Sequence, residues 1–338
     1  MSIFSNLQNA LISESYSGNL EEKILADDAN QQKTLKATDY PKQIDMPNLF
    51  LESPLSMIDI SFSGMIAGIA LSACNQFELA TASYAIGILP IVMRSASTLL
   101  DMHASKDVVL IDLKSDYGVD VNNLRLMPRE ERLKEARTLT KLLNDSYTAK
   151  KYCMKELRKK TNSALTEYIS SVTGQIVNTK DGIQKTMSLG IFHPFARGGN
   201  LPIGSEVYFG KDHGIFNPFT LAHEFVHRRD YTAEYECQII AYKALVSSED
   251  PVLVQSAYSE RLLRQLQILK YHENDESEFN EVYDVLRPEI KKDFEELMFP
   301  KKNIFERIGL LNSENKKLNP DYCEKFTDSL HAMGDKIV

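Results

Sequence analysis

The sequence lacks a C-x-x-C pair, an excess of basic residues, an internal repeat and an uninterrupted apolar run of about 20 residues. Each absence narrows the function. The four cysteines, Cys74, Cys153, Cys237 and Cys323, are scattered, so neither a zinc ribbon nor a redox motif is encoded, and a reducing compartment is the simpler expectation. With 39 Lys and Arg against 47 Asp and Glu, the net charge is -8, and a nucleic-acid partner is not expected because phosphate binding needs a basic face. The opening residues are polar, with Glu21, Glu22, Asp27 and Asp28 close together, and do not read as a secretory signal. The expected location is cytoplasmic or membrane-associated. Lys- and Asn-rich, acidic termini also fit an effector or toxin exported without such a signal.

What is present is a chain of 338 residues, 43% of them apolar, enough for a substantial core. Residues 1–54 read as a polar arm with little to bury. Residues 55–106 hold two apolar stretches, Ile60–Cys74 and Leu79–Met93, separated by the polar joint Asn75-Gln76-Phe77-Glu78. Both are rich in Gly, Ala and Ser, which suits close helix–helix contact, so the segment reads as a helical hairpin, either buried in a core or associated with a membrane through residues 60–93. Val108–Ile111 reads as a short buried strand. Pro128 opens a helix on which Leu133, Ala136, Leu139 and Leu143 recur at helical spacing, and another helix runs from about 150 to 171. Strands are expected at Met187–Phe192 and Glu206–Phe209, around the loop Pro194–Asn200. The remainder is helical, near 252–270, with Leu262, Leu266 and Leu269 on one face, and from about 278 to 297. The fold class is α+β, mainly helical, with a small sheet packed on the helix that follows it, in a domain spanning 107–300; residues 301–338 are expected as a tail.

That helix, opened by Asn217 as N-cap and Pro218 as first residue, carries His223-Glu224-Phe225-Val226-His227. One turn separates the histidines, so both imidazoles leave the same face and can share one ion. Glu224 lies about 100° round the axis, beside the ion, where a general base is needed. Phe219, Leu221, Ala222, Phe225 and Val226 make the helix apolar on most sides, and buried histidines on such a helix need partners, which a metal supplies. A catalytic zinc takes a third protein ligand. Asp230 follows His227 too closely. Glu234 and Glu236 begin the next helix and cannot both face the ion. Glu234 is preferred because Gln238, one turn on, can orient a bound histidine, whereas Glu236 has Ile240 there. Further donors for a developing oxyanion are His193, Arg197, Tyr208 and His213, with residues 205–210 expected to line the cleft as a strand that pairs with extended substrate.

His223–Tyr242, HEFVHRRDYTAEYECQIIAY, resembles a gluzincin-type pattern, and in particular the uncharacterised bacterial family called domain of unknown function 3810, which is grouped with zinc peptidases. The family pattern reads roughly HELAHQxGFAREDEANF, and its second His and first Glu fall on His227 and Glu234. Gly190–Phe195 resembles the family's glycine–aromatic–Pro-Phe segment and Pro128–Asn144 its preceding helix, so the likeness covers about 120–295. Arg228, Asp230 and Gln238 replace a Gln, a turn Gly and an Asn; Asp tolerates the left-handed backbone such a turn needs. The resemblance implies a zincin-like fold, bound Zn2+, peptide or protein substrates and membrane helices ahead of the domain. The expected activity is therefore a zinc metallopeptidase. The alternatives are a non-catalytic zinc-binding scaffold and a membrane-associated regulatory protein.

Overall fold

The computed structural model describes residues 42–46, 57–184, 197–201, 206–209, 212–271, 276–299 and 320–335. The expected strand Met187–Phe192 and His193 lie outside them. Helices dominate. Strand β1 (Lys42–Asp45) pairs in parallel with β2 (Gln175–Asn178), so the end of the polar arm returns to the body of the protein and buries Ile44 and Met46. A second pair, β3 (Gly198–Leu201) and β4 (Glu206–Phe209), is antiparallel, with Gly199 opposite Tyr208. On the other side of β4, Gln184 bridges Tyr208.

Between β1 and β2 come α1 (Met57–Ala73), α2 (Phe77–Ser105), α3 (Leu113–Tyr117), α4 (Arg129–Asp145) and α5 (Met154–Thr173). The expected helical hairpin is present as α1 and α2, turned by Asn75 at φ 58°. It is not buried in the core. Ile66, Ile69, Leu79, Ile86, Leu89 and Val92 are all exposed, because the two helices pack on each other and their outer faces are as apolar as their seam. Among the described residues no helix is long and apolar enough to cross a membrane.

After β4 follow α6 (Asn217–His227), α7 (Glu234–Ser247), α8 (Pro251–Tyr271), α9 (Glu276–Asp284), α10 (Pro288–Met298) and α11 (Pro320–Ala332). Helix α8 is the axis of the body. Burial runs round its whole circumference from Leu253 to Leu269. One apolar cluster joins α5, α6, α7 and α11 against it, through Leu165, Phe225, Leu245, Phe326 and Leu330. A second joins α4, α9 and α10, through Leu139, Leu262, Leu266, Phe279 and Phe294.

Several expectations need correction. Residues 108–111 form no strand. Val109 and Leu110 are exposed, and the segment is tied down one residue at a time, Val109 N–H to Gln175 Oε1 at 2.8 Å and Ile111 N–H to the Tyr231 hydroxyl at 2.8 Å. Asn217 is not an N-cap. A 3₁₀ turn over Gly214–Phe216 feeds directly into α6, and Asn217 instead bonds back to Asp212 and to the His213 N–H. The single helix expected over 278–297 is two, because Pro288 has no N–H to continue α9 and starts α10 instead. Residues 320–332 of the expected tail form a helix whose Cys323, Phe326 and Leu330 are buried.

Candidate metal centre

Helix α6 is short and lies under β3, against α5, α7 and α8. Every side chain from Pro218 to Val226 is buried except that of His223, which is partly exposed, as is His227. The backbone reverses after His227 within three residues. Asp230 takes the left-handed conformation at φ 75°, and α7 starts at Glu234. This tight return brings Glu234 back over the exposed edge of α6.

The result is a compact triad. His223 Nε2 and His227 Nε2 are 3.2 Å apart, Glu234 Oε2 is 3.1 Å from the first, and Glu234 Oε1 is 3.4 Å from the second. All ligand atoms of the three residues fall within 4.8 Å of one another. Tetrahedral zinc, with nitrogen ligands at about 2.0–2.1 Å, sets such nitrogens roughly 3.3 Å apart, so the spacing fits. The second-atom chemistry fits as well. His227 Nδ1 lies 2.9 Å from the Tyr231 carbonyl oxygen, which can only accept, so Nδ1 carries the proton and Nε2 presents its lone pair to the centre. Two imidazoles and one carboxylate converging on one point are a donor set suited to zinc.

The electrostatics divide the two glutamates. Burial pushes the Glu224 carboxyl up, and Glu234 adds to it, while both histidines pull the other way. Glu234 is held far below the ordinary carboxylate range by its hydrogen bonds to His223 and His227. Burial alone would lower His227, but Glu234 and the Tyr231 carbonyl outweigh it and raise it. The histidines thus favour the charged form of one carboxylate, and burial favours the neutral form of the other. Glu236, the rejected alternative, is lifted by burial and by the charge of Asp112, away from the triad.

Residues 96–308 match the model of a family described as "Protein of unknown function (DUF3810)". The chain belongs to this family. No curated protein and no solved structure matches it.

The DUF3810 match takes in the end of α2, both strands of the second pair and helices α3 to α10, and so the whole triad; α11 lies beyond it. Within this family member the remaining sequence candidates separate. Tyr208 is completely buried, and β4 is paired on both sides, so neither lines an open cleft as expected; β3 is the outer strand of the described pair and the one nearer α6. Arg197 stands just before β3, but both its terminal nitrogens are occupied, 2.7 Å from the two oxygens of Glu260 on α8. Its charge still acts on Glu224. His213 faces Glu296 on α10, its Nδ1 3.9 Å from the carboxylate. Gln238 is buried but bonds neither histidine; the main chain of Tyr231 does the orienting.

Sequence reasoning missed the residues that hold the return loop. Tyr231 bonds His227 through its carbonyl and Ile111 through its hydroxyl. Cys237 sets its thiol 3.3 Å from His227 Nδ1. Arg229 is fully buried without a carboxylate and spends its donors on the Phe225 carbonyl at 2.8 Å, on Asn162 and on Thr166, closing the C-terminus of α6. The signal available was the doubled Arg228-Arg229 straight after an apolar helix, where a cation meets the free carbonyls.

Proposed function

We propose that the protein is a zinc-dependent metallopeptidase with a zincin-like centre, acting on peptide bonds of a peptide or protein substrate. The observation that carries the reading is the convergence of His223, His227 and Glu234 with Glu224 buried beside them. A structural zinc site has no use for Glu224. A buried carboxyl with a raised proton affinity, one residue from a ligand, is costly unless it works.

His223, His227 and Glu234 would hold the ion, which supplies Lewis-acid activation of a water and of the scissile carbonyl. Glu224 accepts a proton from the attacking water and passes it to the nitrogen of the leaving amine. Burial of Glu224 serves both halves of that task, since a carboxyl raised from its usual range keeps the proton long enough to deliver it. Tyr231 keeps the His227 ring in the required tautomer. Strand β3 supplies backbone groups that can pair with extended substrate beside α6. The apolar outer faces of α1 and α2 support a further element of the proposal, association of residues 60–93 with a membrane surface.

The test is metal content and hydrolysis measured together on the full chain. After dialysis, mass spectrometry is expected to find close to one zinc per chain in the wild type and in Glu224→Gln, and little in Glu234→Ala. Hydrolysis of mixed quenched fluorescent peptides is expected from the wild type alone, with Glu224→Gln reduced by about 100-fold or more. Zinc held by a folded Glu224→Gln protein that is as active as the wild type would remove the catalytic role and favour the zinc-binding scaffold.

A further inference from the structure

Two residues of the triad, His227 and Glu234, flank the loop that turns α6 back into α7. Within Asp230–Ala233, Asp230 and Thr232 are exposed and Ala233 is half-buried. Tyr231 alone is sealed in the core. It is the one side chain by which these four residues are anchored to the body of the protein.

Tyr231 is fixed at both ends. Its carbonyl oxygen lies 2.9 Å from His227 Nδ1, and the Cys237 thiol closes on the same pair, 3.3 Å from Nδ1 and 3.6 Å from the carbonyl oxygen. Its hydroxyl, at the far end of the ring, accepts the N–H of Ile111 at 2.8 Å. Ile111 belongs to a strap, residues 107–111, that leads from the end of α2 to the start of α3. The strap forms neither helix nor strand, and Val109 and Leu110 are exposed. A second tie holds its other end. Gln175, at the head of β2, donates from Nε2 to the Asp107 carbonyl at 2.8 Å and accepts the Val109 N–H on Oε1 at 2.8 Å. Ile111 and Tyr231 are both buried, in the cluster that also holds Phe225 and Val226 of α6. A hydrogen bond in such surroundings is costly to break, because the freed groups meet no water. From Asp107 to the His227 ring there is thus an unbroken series of contacts, each at hydrogen-bond distance or along one side chain.

We propose that the strap sets the position of His227 through the Tyr231 hydroxyl, so that the exit of the α1–α2 hairpin and the metal centre are two ends of one linkage. The proposal rests on the zinc-centre part of the reading above, not on peptide hydrolysis. Tyr231 is a positioning residue, acting through the His227 ring. An imidazole binds metal tightly only when a partner on its other nitrogen fixes its orientation, and here that partner is a loop carbonyl whose own place depends on the far end of the ring. The linkage runs both ways. Whatever holds the strap strengthens metal binding, and bound metal holds the strap by the same factor. A shift at the end of α2 is therefore read at the centre as a change in zinc affinity.

The experiment uses the full chain and two readouts, zinc affinity by competition with a chromogenic chelator and hydrogen exchange of the Ile111 amide by NMR, metal-free and zinc-loaded. Tyr231→Phe keeps the ring and the carbonyl and removes only the anchor. It is expected to bind zinc about 10-fold more weakly than the wild type. Gln175→Met, whose altered side chain bonds the strap and not the triad, is expected to weaken zinc in the same direction by about 3-fold. In the wild type, zinc is expected to slow exchange of the Ile111 amide by about 10-fold; in Tyr231→Phe the rate should stay within about 2-fold on adding zinc. A tyrosine that only stabilised the fold would lower metal-free stability and leave the zinc affinity of the folded protein unchanged. The wild-type exchange measurement needs no variant, so a substitution that fails to fold does not protect the idea. Ile111 exchange indifferent to zinc in the wild type, or zinc affinity within about 2-fold of it in folded Tyr231→Phe, overturns the linkage and leaves the zinc centre standing. A wild type that binds zinc and cleaves no peptide overturns the peptidase reading and leaves the linkage standing. A wild type that takes up no zinc overturns both.

Discussion

Glu260 sits on a helix with no face open to solvent, and only two guanidinium groups keep its charge there. Burial pushes its carboxyl up, but Arg197 and Arg264 outweigh that and carry it down to about 2. The sign of the consequence is fixed. With a folded-state value below the unfolded one, the stabilisation is present above the ordinary glutamate range and is lost as pH falls from about 4.5 towards 2. A shift of this size contributes on the order of 3 kcal/mol at neutral pH. Glu260→Gln is therefore expected to be less stable than the wild type at pH 7, with the gap in unfolding free energy shrinking by about half at pH 3, as read from urea titrations at both values. A gap of equal size at the two pH values would show that Glu260 is not held ionised by its partners. The same residues show what sequence can carry. His223 and His227 were legible because helix geometry fixes their relation, whereas Glu234 was preferred to Glu236 for an orienting Gln238, a role that the Tyr231 carbonyl takes instead. The left-handed Asp230, at φ 75°, was legible from the family resemblance, which has a turn Gly at that position. The fate of Arg197 was not, since its partner lies 63 residues away on another helix and nothing local announces it.

At the scale of elements, long amphipathic runs were readable and their ends were not. Helices α4 and α8 fall where their apolar spacing puts them, whereas 108–111, apolar enough for a strand, is held by side-chain bonds from Gln175 and Tyr231 that no pattern encodes. The hairpin was readable as a hairpin, but its exposure was not, because apolar composition is the same for a helix in a core and for one with nothing over it. Its seam depends on two glycines. A Cβ on Gly64 would stand 2.6 Å from the Gly87 backbone nitrogen, and one on Gly87 would stand 3.0 Å from the Ser61 carbonyl oxygen. The helices meet backbone to backbone at this crossing, and no rotamer relieves a clash of that kind. Gly64→Leu is expected to open the crossing, read as faster hydrogen exchange of the α1 amides of residues 61–68 than in the wild type. Equal exchange rates would mean that the two helices do not meet there.

Taken whole, the molecule extends beyond the segment its family match describes. Helix α11 is joined to the opposite side of the body by a buried ion pair, Arg132 Nη2 to Asp328 Oδ1 at 3.0 Å, with Asp328 Oδ2 also accepting the Met127 N–H at 3.0 Å. Arg132 spends a further nitrogen on Gln265 of α8 and on Thr327. Around this pair Phe326 and Leu330 close the apolar cluster that supports α6, so α11 buttresses α6. Removing one member of a buried pair leaves the other charged and unsolvated, which costs about 3–5 kcal/mol, whereas replacing both with apolar groups can be close to neutral. Asp328→Ala is accordingly expected to lose about 3 kcal/mol, and Arg132→Met combined with Asp328→Leu to recover much of it, in a double-mutant cycle followed by urea unfolding. A chain ending at residue 308 keeps the entire family match and every triad residue, yet it removes the Asp328 and Thr327 partners of Arg132 and the α11 side chains packed on the α6 cluster. It is expected to bind zinc more weakly than the full chain and to be cut by protease within the stretch 217–247 that the full chain protects. If the shortened chain unfolds at the same urea concentration as the full one, α11 is an appendage, and the centre is complete without it.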